Sequence, residues 1–79
     1  MKIVVANLPD DVTEEGIREA LGEFAPVEKI QLLKESGTPT AVIEMEMGRA
    51  QAADLARRIQ GRIYKGRALS AWVPAKGWS

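Results

Sequence analysis

Apolar residues recur along this chain with two different periods, one typical of strands and the other of helices. The segment from Lys2 to Leu8 is rich in β-branched residues and stops at Pro9-Asp10-Asp11, which predicts a strand. Three later segments have the same strand character and are separated by turn-forming residues. They run from Val27 to Lys34, from Thr40 to Met45 and from Ala68 to Val73.

Helical spacing is found in two segments. In the first, Thr13 is a suitable N-cap, and the apolar residues predict a helix that ends near Ala25-Pro26, with Phe24 in the core. In the second, Gly61 is expected to end the helix in a left-handed conformation. The apolar positions are Ile17, Ala20, Leu21 and Phe24 in the first helix and Ala52, Leu55, Ala56 and Ile59 in the second.

The predicted elements follow the order β-α-β-β-α-β, which indicates an α+β fold. Two interlocked β-α-β units of this kind form the ferredoxin-like topology, a four-stranded antiparallel sheet with both helices on one face. We expect a single domain over residues 1–74 and a flexible tail over 75–79. The second face of the sheet is expected to stay uncovered, so it is predicted to be a binding surface or a dimer interface.

Composition excludes several kinds of chemistry. The chain has no cysteine and no histidine, so thiolate metal sites, cysteine nucleophiles and histidine general bases are excluded. Its carboxylates lie along predicted helix surfaces, so we expect no enzymatic activity, no cofactor and no metal. The first strand is followed at once by Asn7-Leu8-Pro9, unlike a signal peptide or a membrane span. A cytoplasmic protein without membrane contact is therefore expected.

Charge is unevenly distributed although the formal net charge is zero. Residues 1–46 carry four bases and ten acids, a balance of −6, whereas residues 47–79 carry seven bases and one acid, a balance of +6. This asymmetry predicts a dipolar molecule with one basic face. Alternatively, the two halves simply have differently charged helix surfaces in contact with solvent.

Several segments together resemble the RNA recognition motif family. Lys2 to Pro9 is similar to the first strand of that family, including its Asn-Leu-Pro ending, and Thr13-Glu14-Glu15 is similar to the start of its first helix. Gly66-Arg67, with Leu69 two residues later, resembles the turn into its fourth strand. The resemblance implies the fold given above and the binding of single-stranded RNA on the open sheet face.

The third strand departs from the pattern of that family, which places aromatic residues on the open face. The corresponding positions hold Thr40 and Val42, and the matching position of the first strand holds Val4. Strand alternation instead directs Trp72 to this face, where its ring is expected either to stack on a base or to cap the bare sheet. The predicted RNA-facing residues are Trp72, Val4, Thr40, Val42, Gln31 and Lys2.

Basic residues around the last strand are candidates for contacts with backbone phosphates, because this strand and the turn before it flank the open face. These candidates are Arg67, Arg62, Lys65 and Lys76. Asn7 is expected to bond the turn that follows the first strand rather than a base.

Two other functions stay open. Some RRM-like domains of splicing factors bind peptides and have an acidic first helix and an Arg-x-Phe loop before the fourth strand. Here the first helix carries Glu14, Glu15, Glu19 and Glu23, and the loop reads Arg62-Ile63-Tyr64. The other alternative is a homodimer through the outward apolar residues, although a monomer is expected. Those apolar residues are Val4, Leu33, Val42 and Trp72.

Overall fold

The computed structural model describes residues 1–34 and 37–74. Its helices are α1 (Glu14–Leu21) and α2 (Arg49–Ile59). Its strands are β1 (Lys2–Ala6), β2 (Val27–Leu33), β3 (Thr40–Met45), β4 (Ile63–Tyr64), β5 (Arg67–Ala68) and β6 (Ser70–Trp72). The tail predicted over residues 75–79, which includes Lys76, lies outside the described residues.

Four of these strands form one antiparallel sheet in the order β2-β3-β1-β6. β1 lies inside the sheet and pairs with both β3 and β6, while β3 also pairs with β2. The predicted ferredoxin-like α+β fold, with two helices and a four-stranded antiparallel sheet, is confirmed. One feature is added to it, since β4 and β5 form a separate two-stranded hairpin before the last strand of the sheet.

The hydrophobic core lies between the sheet and the two helices. Strand residues alternate as predicted, and the inward residues of β1 and β3 are almost inaccessible to solvent. α1 contributes Ile17 and Leu21 to the core. α2 contributes all four of its predicted apolar residues, each of which is buried. The strand residues of the core are Ile3, Val5, Ile30, Ala41, Ile43, Met45 and Ala71, and Leu69 joins them from between β5 and β6.

The predicted caps of both helices are present. The Thr13 hydroxyl accepts a hydrogen bond of 3.1 Å from the backbone N–H of Gly16, which satisfies one of the free donors in the first turn of α1. At the end of α2, Gly61 has a φ of 82°, the left-handed conformation that glycine adopts without steric cost. The chain can therefore leave α2 abruptly and turn towards β4.

The end of α1 differs from the prediction. The helix stops at Leu21 rather than near Ala25-Pro26, because Gly22 follows and glycine is a poor helix former. The N–H of Phe24 bonds the carbonyl of Leu21 at 3.0 Å and continues as a turn. The prediction that Phe24 belongs to the core is wrong, since its side chain is 47% exposed.

The hairpin divides the strand that was predicted from Ala68 to Val73. Its turn residues Lys65 and Gly66 both have positive φ, 50° and 82°, as a type I′ turn requires. Beyond the turn, the N–H of Leu69 donates to the carbonyl of Arg62 at 2.8 Å and extends the hairpin pairing. β5 therefore belongs to the hairpin, and β6 alone joins the main sheet.

Candidate nucleic-acid interface

The open face of the sheet carries its side chains in rows that cross the strands. In the central row, Gln31 of β2 lies opposite Val42 of β3, and Val42 lies opposite Val4 of β1. Val4 in turn lies opposite Trp72 of β6. Four of the six predicted RNA-facing residues are therefore neighbours in one row across the whole sheet.

The rows on either side of this central row differ in polarity. On one side, Glu44 of β3 lies between Lys29 of β2 and Lys2 of β1. On the other side, Thr40 lies opposite Leu33. The remaining predicted residues, Lys2 and Thr40, thus lie on the same face as the central row but on opposite sides of it.

Trp72 and Val4 differ greatly in exposure although they are cross-strand neighbours. The side chain of Trp72 is 45% exposed, whereas Val4 is 1% exposed. Val4 does not belong to the core cluster beneath the helices, so it is covered from the open side, where Val42 and Trp72 flank it. We infer that part of the indole covers Val4 while the rest faces solvent. Capping the sheet and stacking on a base are therefore compatible roles for Trp72.

Asn7 connects the end of β1 to the hairpin. Its backbone has a φ of 65°, its Nδ2 donates to the carbonyl of Ala68 at 2.8 Å, and its Oδ1 accepts from Arg67 Nη1 at 3.0 Å. The expectation that Asn7 bonds the turn after the first strand is wrong, because both of these partners are on β5. Since the amide is neutral, it orients the guanidinium of Arg67 without cancelling its charge.

Lys65 forms an ion pair at the turn of the hairpin. Its Nζ lies 3.0 Å from Asp11 Oδ2 and 5.7 Å from the centre of the Tyr64 ring. The hydrogen bond to Lys65, and then the charge of Lys65, lower the pKa of Asp11, and the same two effects of Asp11 raise the pKa of Lys65. Both side chains are exposed, so this pair is weak and sensitive to salt.

The other predicted phosphate contacts are not gathered around Arg67. Arg62 lies on the helix-covered side, close to α2, and Lys76 is outside the described residues. The basic residues after residue 46 lie mainly on α2 and the hairpin. The lysines beside the central row, Lys2 and Lys29, belong instead to the first 46 residues, whose net charge is negative. The bases of α2 are Arg49, Arg57 and Arg58.

Two features of this interface were not anticipated from the sequence. The row of Lys29, Glu44 and Lys2 depends on the register between strands, which alternation within a strand does not supply. The link from Asn7 to Arg67 joins residues that are far apart in the chain. One signal was available for Asn7, since asparagine at the end of a strand tolerates positive φ better than most residues.

Within residues 1–34 and 37–74, no helix is long and apolar enough to cross a membrane. The same ranges contain no group of three or more acidic side chains placed to hold a metal ion. Every buried side-chain nitrogen or oxygen there has a hydrogen-bond partner. No orphaned polar atom therefore indicates a hidden ligand site in this part of the chain.

Comparisons with solved structures find the same fold in known RNA-binding domains. RRM1 of Plasmodium falciparum SR1, in complex with ACAUCA RNA, is 31% identical over 92% of this chain and 82% of that one, with a TM-score of 0.71. The C-terminal RNA recognition motif of the U11/U12 65K protein has a TM-score of 0.81 at 19% identity, over 99% of this chain and 72% of that one. The Rna15 RRM with bound RNA has a TM-score of 0.77 at 22% identity, over 95% of this chain and 83% of that one.

A search among curated protein sequences finds no significant match. The family model of the RNA recognition motif, by contrast, matches residues 3–70. This match includes both helices and β2 to β5 in full, begins at the second residue of β1 and ends at the first residue of β6. The chain belongs to the RNA recognition motif family.

Proposed function

We propose that this domain binds single-stranded RNA through the open face of its sheet. The family supports RNA binding in general, and the 31% identical domain of P. falciparum SR1 is described in complex with ACAUCA RNA. An open sheet favours a single strand, because unpaired bases can be splayed out and stacked, whereas a duplex hides them.

One observation carries this assignment, the central row that ends in Trp72. Val42 offers a half-buried apolar surface where the family has an aromatic ring, Val4 is covered, and Trp72 adds a half-exposed ring at the end of the row. Among the described outward residues of the main sheet, Trp72 is the aromatic one. A base can stack on the exposed part of the indole and extend towards Val42.

Phosphate contacts would come from cations around this row. Arg67 is the best placed of the predicted set, since Asn7 holds it at the end of β1 with its charge intact. Lys2 and Lys29 border the row on the other side, with Glu44 between them. Few cations face the open surface, so the electrostatic part of the affinity should be modest.

The test is RNA binding by Trp72→Ala in a Trp78→Phe background, which removes the fluorescence of the other tryptophan. The hexamer ACAUCA is a first probe, followed by a random hexamer pool. RNA should quench or shift the fluorescence of Trp72, and Trp72→Ala should weaken binding by roughly 5- to 150-fold, the equivalent of about 1–3 kcal/mol. Gln31→Ala, at the other end of the row, is the matched control and should change affinity less.

Two results would count against the proposal. In one, Trp72→Ala leaves RNA affinity unchanged while the free energy of unfolding falls, and the ring then acts solely as a cap. In the other, sedimentation shows a dimer that Trp72→Ala dissociates, which assigns the open face to self-association instead.

Salt dependence tests the phosphate contacts separately. If Arg67 neutralises one phosphate of a single strand, the slope of log affinity against log salt should lose about 0.7 in Arg67→Gln. Arg49→Gln on α2 removes the same charge far from the open face and should leave the slope unchanged. Equal slopes for the wild type and Arg67→Gln would remove Arg67 from the interface.

A further inference from the structure

Glu44 is an acidic side chain on the surface that is proposed to bind RNA. It lies on the same face of β3 as Val42, two residues further along the strand, and its cross-strand neighbours are Lys29 and Lys2. RNA is a polyanion, so a carboxylate on its binding surface repels the phosphates. A carboxylate at this place is therefore either neutralised by its neighbours or used to contact a base.

The acceptor oxygens of Glu44 are open. Within residues 1–34 and 37–74, its carboxylate has no hydrogen bond and no ion pair. The side chain is half-buried, but every fully buried side-chain oxygen in those ranges has a partner, so the oxygens of Glu44 face solvent. The neighbouring lysines therefore place positive charge beside the carboxylate without occupying its oxygens.

Two acceptor oxygens select among the four bases by the donors on the Watson–Crick edge of each base. A carboxylate can accept two parallel N–H bonds, as it does from the guanidinium of arginine. Guanine has two adjacent donors on that edge, N1–H and the N2 amino group. Adenine, cytosine and uracil each have a single donor group there, next to an acceptor that a carboxylate repels. In single-stranded RNA this edge is accessible, whereas pairing hides it in a duplex.

The neighbouring lysines complement the rest of the guanine edge. The O6 atom next to N1–H is an acceptor, and an ammonium group has three donors and no acceptor. Directly opposed residues on adjacent strands have Cβ atoms about 4.5–5.5 Å apart, so Lys29 or Lys2 can reach the same base as Glu44. Outward residues two apart on one strand are separated by roughly 7 Å. A base that lies over Val42 therefore has its edge near Glu44.

We propose that Glu44 gives this domain a preference for guanine, by accepting hydrogen bonds from N1–H and the N2 amino group of a base that lies over Val42. Lys29 or Lys2 donates to O6 of the same base. This inference rests on the proposed binding of single-stranded RNA at the open face, and it adds the base that this face selects. Trp72 provides stacking that any base can use, whereas Glu44 discriminates between bases.

The test compares short RNAs that differ in one base. Five hexamers carry guanine, inosine, adenine, cytosine or uracil at the fourth position and uridine elsewhere, so the strand can slide until that base occupies the site. Affinities are measured on the full chain, labelled with ¹⁵N, from the amide shifts of Val42 and Trp72. The guanine hexamer should bind at least about fivefold more tightly than those with adenine, cytosine or uracil, as for a bidentate base contact. Inosine keeps N1–H but lacks the N2 amino group, and its affinity should be intermediate.

Two variants with the same change in charge separate base contact from general electrostatics. Glu44→Gln replaces one acceptor oxygen with a donor, so its affinities for the guanine and adenine hexamers should agree within about twofold. Because this variant also removes a negative charge, the adenine and uracil hexamers should bind it no more weakly than the wild type. Glu19→Gln removes the same charge from the exposed surface of α1 and should keep the wild-type preference. Amide spectra of both variants check that the fold is retained.

Several outcomes would overturn this inference and leave the proposed RNA binding intact. They are equal affinity for all five hexamers, inosine that binds as tightly as guanine, and a guanine preference that survives in Glu44→Gln. If Glu44 only offsets the charge of its neighbours, Glu44→Gln should instead raise the affinity for every hexamer by the same factor. If no hexamer binds, or if the shifts lie on the helices instead of the open face, the proposed function fails and this inference fails with it.

Discussion

The two faces of the main sheet are built from the same strands but are stabilised in different ways. On the covered face, Ile3, Ile43 and Met45 lie beneath the helices and are essentially inaccessible. On the open face, Val4 is just as inaccessible, yet its neighbours there are Val42 and the half-exposed Trp72. One face is covered by separate elements, and the other is covered in part by its own side chains.

Burial alone therefore does not identify the core of so thin a domain. Val4 and Ile43 have the same 1% exposure, but Ile43 belongs to the core cluster between the sheet and the helices, whereas Val4 is flanked on the open face by Val42 and Trp72. Polar contacts instead stabilise the end of β1, through Asn7, and the turn of the hairpin, through Lys65. We therefore expect stability to respond to mutation, salt and pH in different ways on the two faces.

The largest effect is expected for truncation on the covered face. Ile43→Ala should lower the free energy of unfolding by about 2–5 kcal/mol, because it leaves a cavity among side chains that cannot collapse onto it. Val42→Ala, one position along β3 and half-buried on the open face, should cost clearly less. Denaturant titration of both variants measures the difference, and equal losses would contradict the contrast between the faces.

The next effect concerns the cover over Val4. Val4→Ala removes two methyl groups and should cost about 1.5–3 kcal/mol in the wild-type background. If Trp72 covers Val4, the same truncation should cost less once Trp72→Ala is present, with a coupling free energy of at least about 0.5 kcal/mol. A double-mutant cycle by denaturant unfolding gives this coupling, and additive losses would mean that the indole does not cover Val4.

The covered face was largely predictable from the sequence, since period-two and helical patterns directly report which residues avoid water. Ile3, Ile43 and Ile17 were placed correctly by such patterns. Phe24 was not, because helical spacing continues past Gly22 in the sequence although the helix stops before it. Glycine is less favourable than alanine inside a helix by about 1 kcal/mol, which favours a helix end at this position.

The open face was predictable in its membership but not in its packing. Alternation correctly put Val4, Val42 and Trp72 on one side of the sheet. Their arrangement in one row depends on the register between strands. The cover over Val4 depends on the side-chain conformation of Trp72. The hairpin was not predicted, because each of its two strands is only two residues long and too short to show an alternating pattern.

A smaller effect is expected at Asn7, which links the end of β1 to the hairpin. Asn7→Ala should lower the free energy of unfolding by about 1–2 kcal/mol, since it loses the hydrogen bond to Ala68 and puts alanine at a positive φ. Asn7→Gly loses the same hydrogen bonds without that backbone cost and should be less destabilised. If the two variants unfold at the same denaturant concentration, the positive φ of residue 7 contributes nothing.

The smallest effect is expected at the hairpin turn, where Lys65 pairs with Asp11. Because the pKa of Asp11 is lowered in the folded state, any stability from this pair is present above the ordinary aspartate pKa of about 3.9 and is lost as the pH falls through the lowered value. The raised pKa of Lys65 has the opposite sign, so its contribution is lost as the pH rises through that raised value. A ¹³C titration of the Asp11 carboxylate at low salt should give a midpoint below the ordinary value. Lys65→Met should return the midpoint towards it, and an unchanged midpoint would show that the pair does not form in solution.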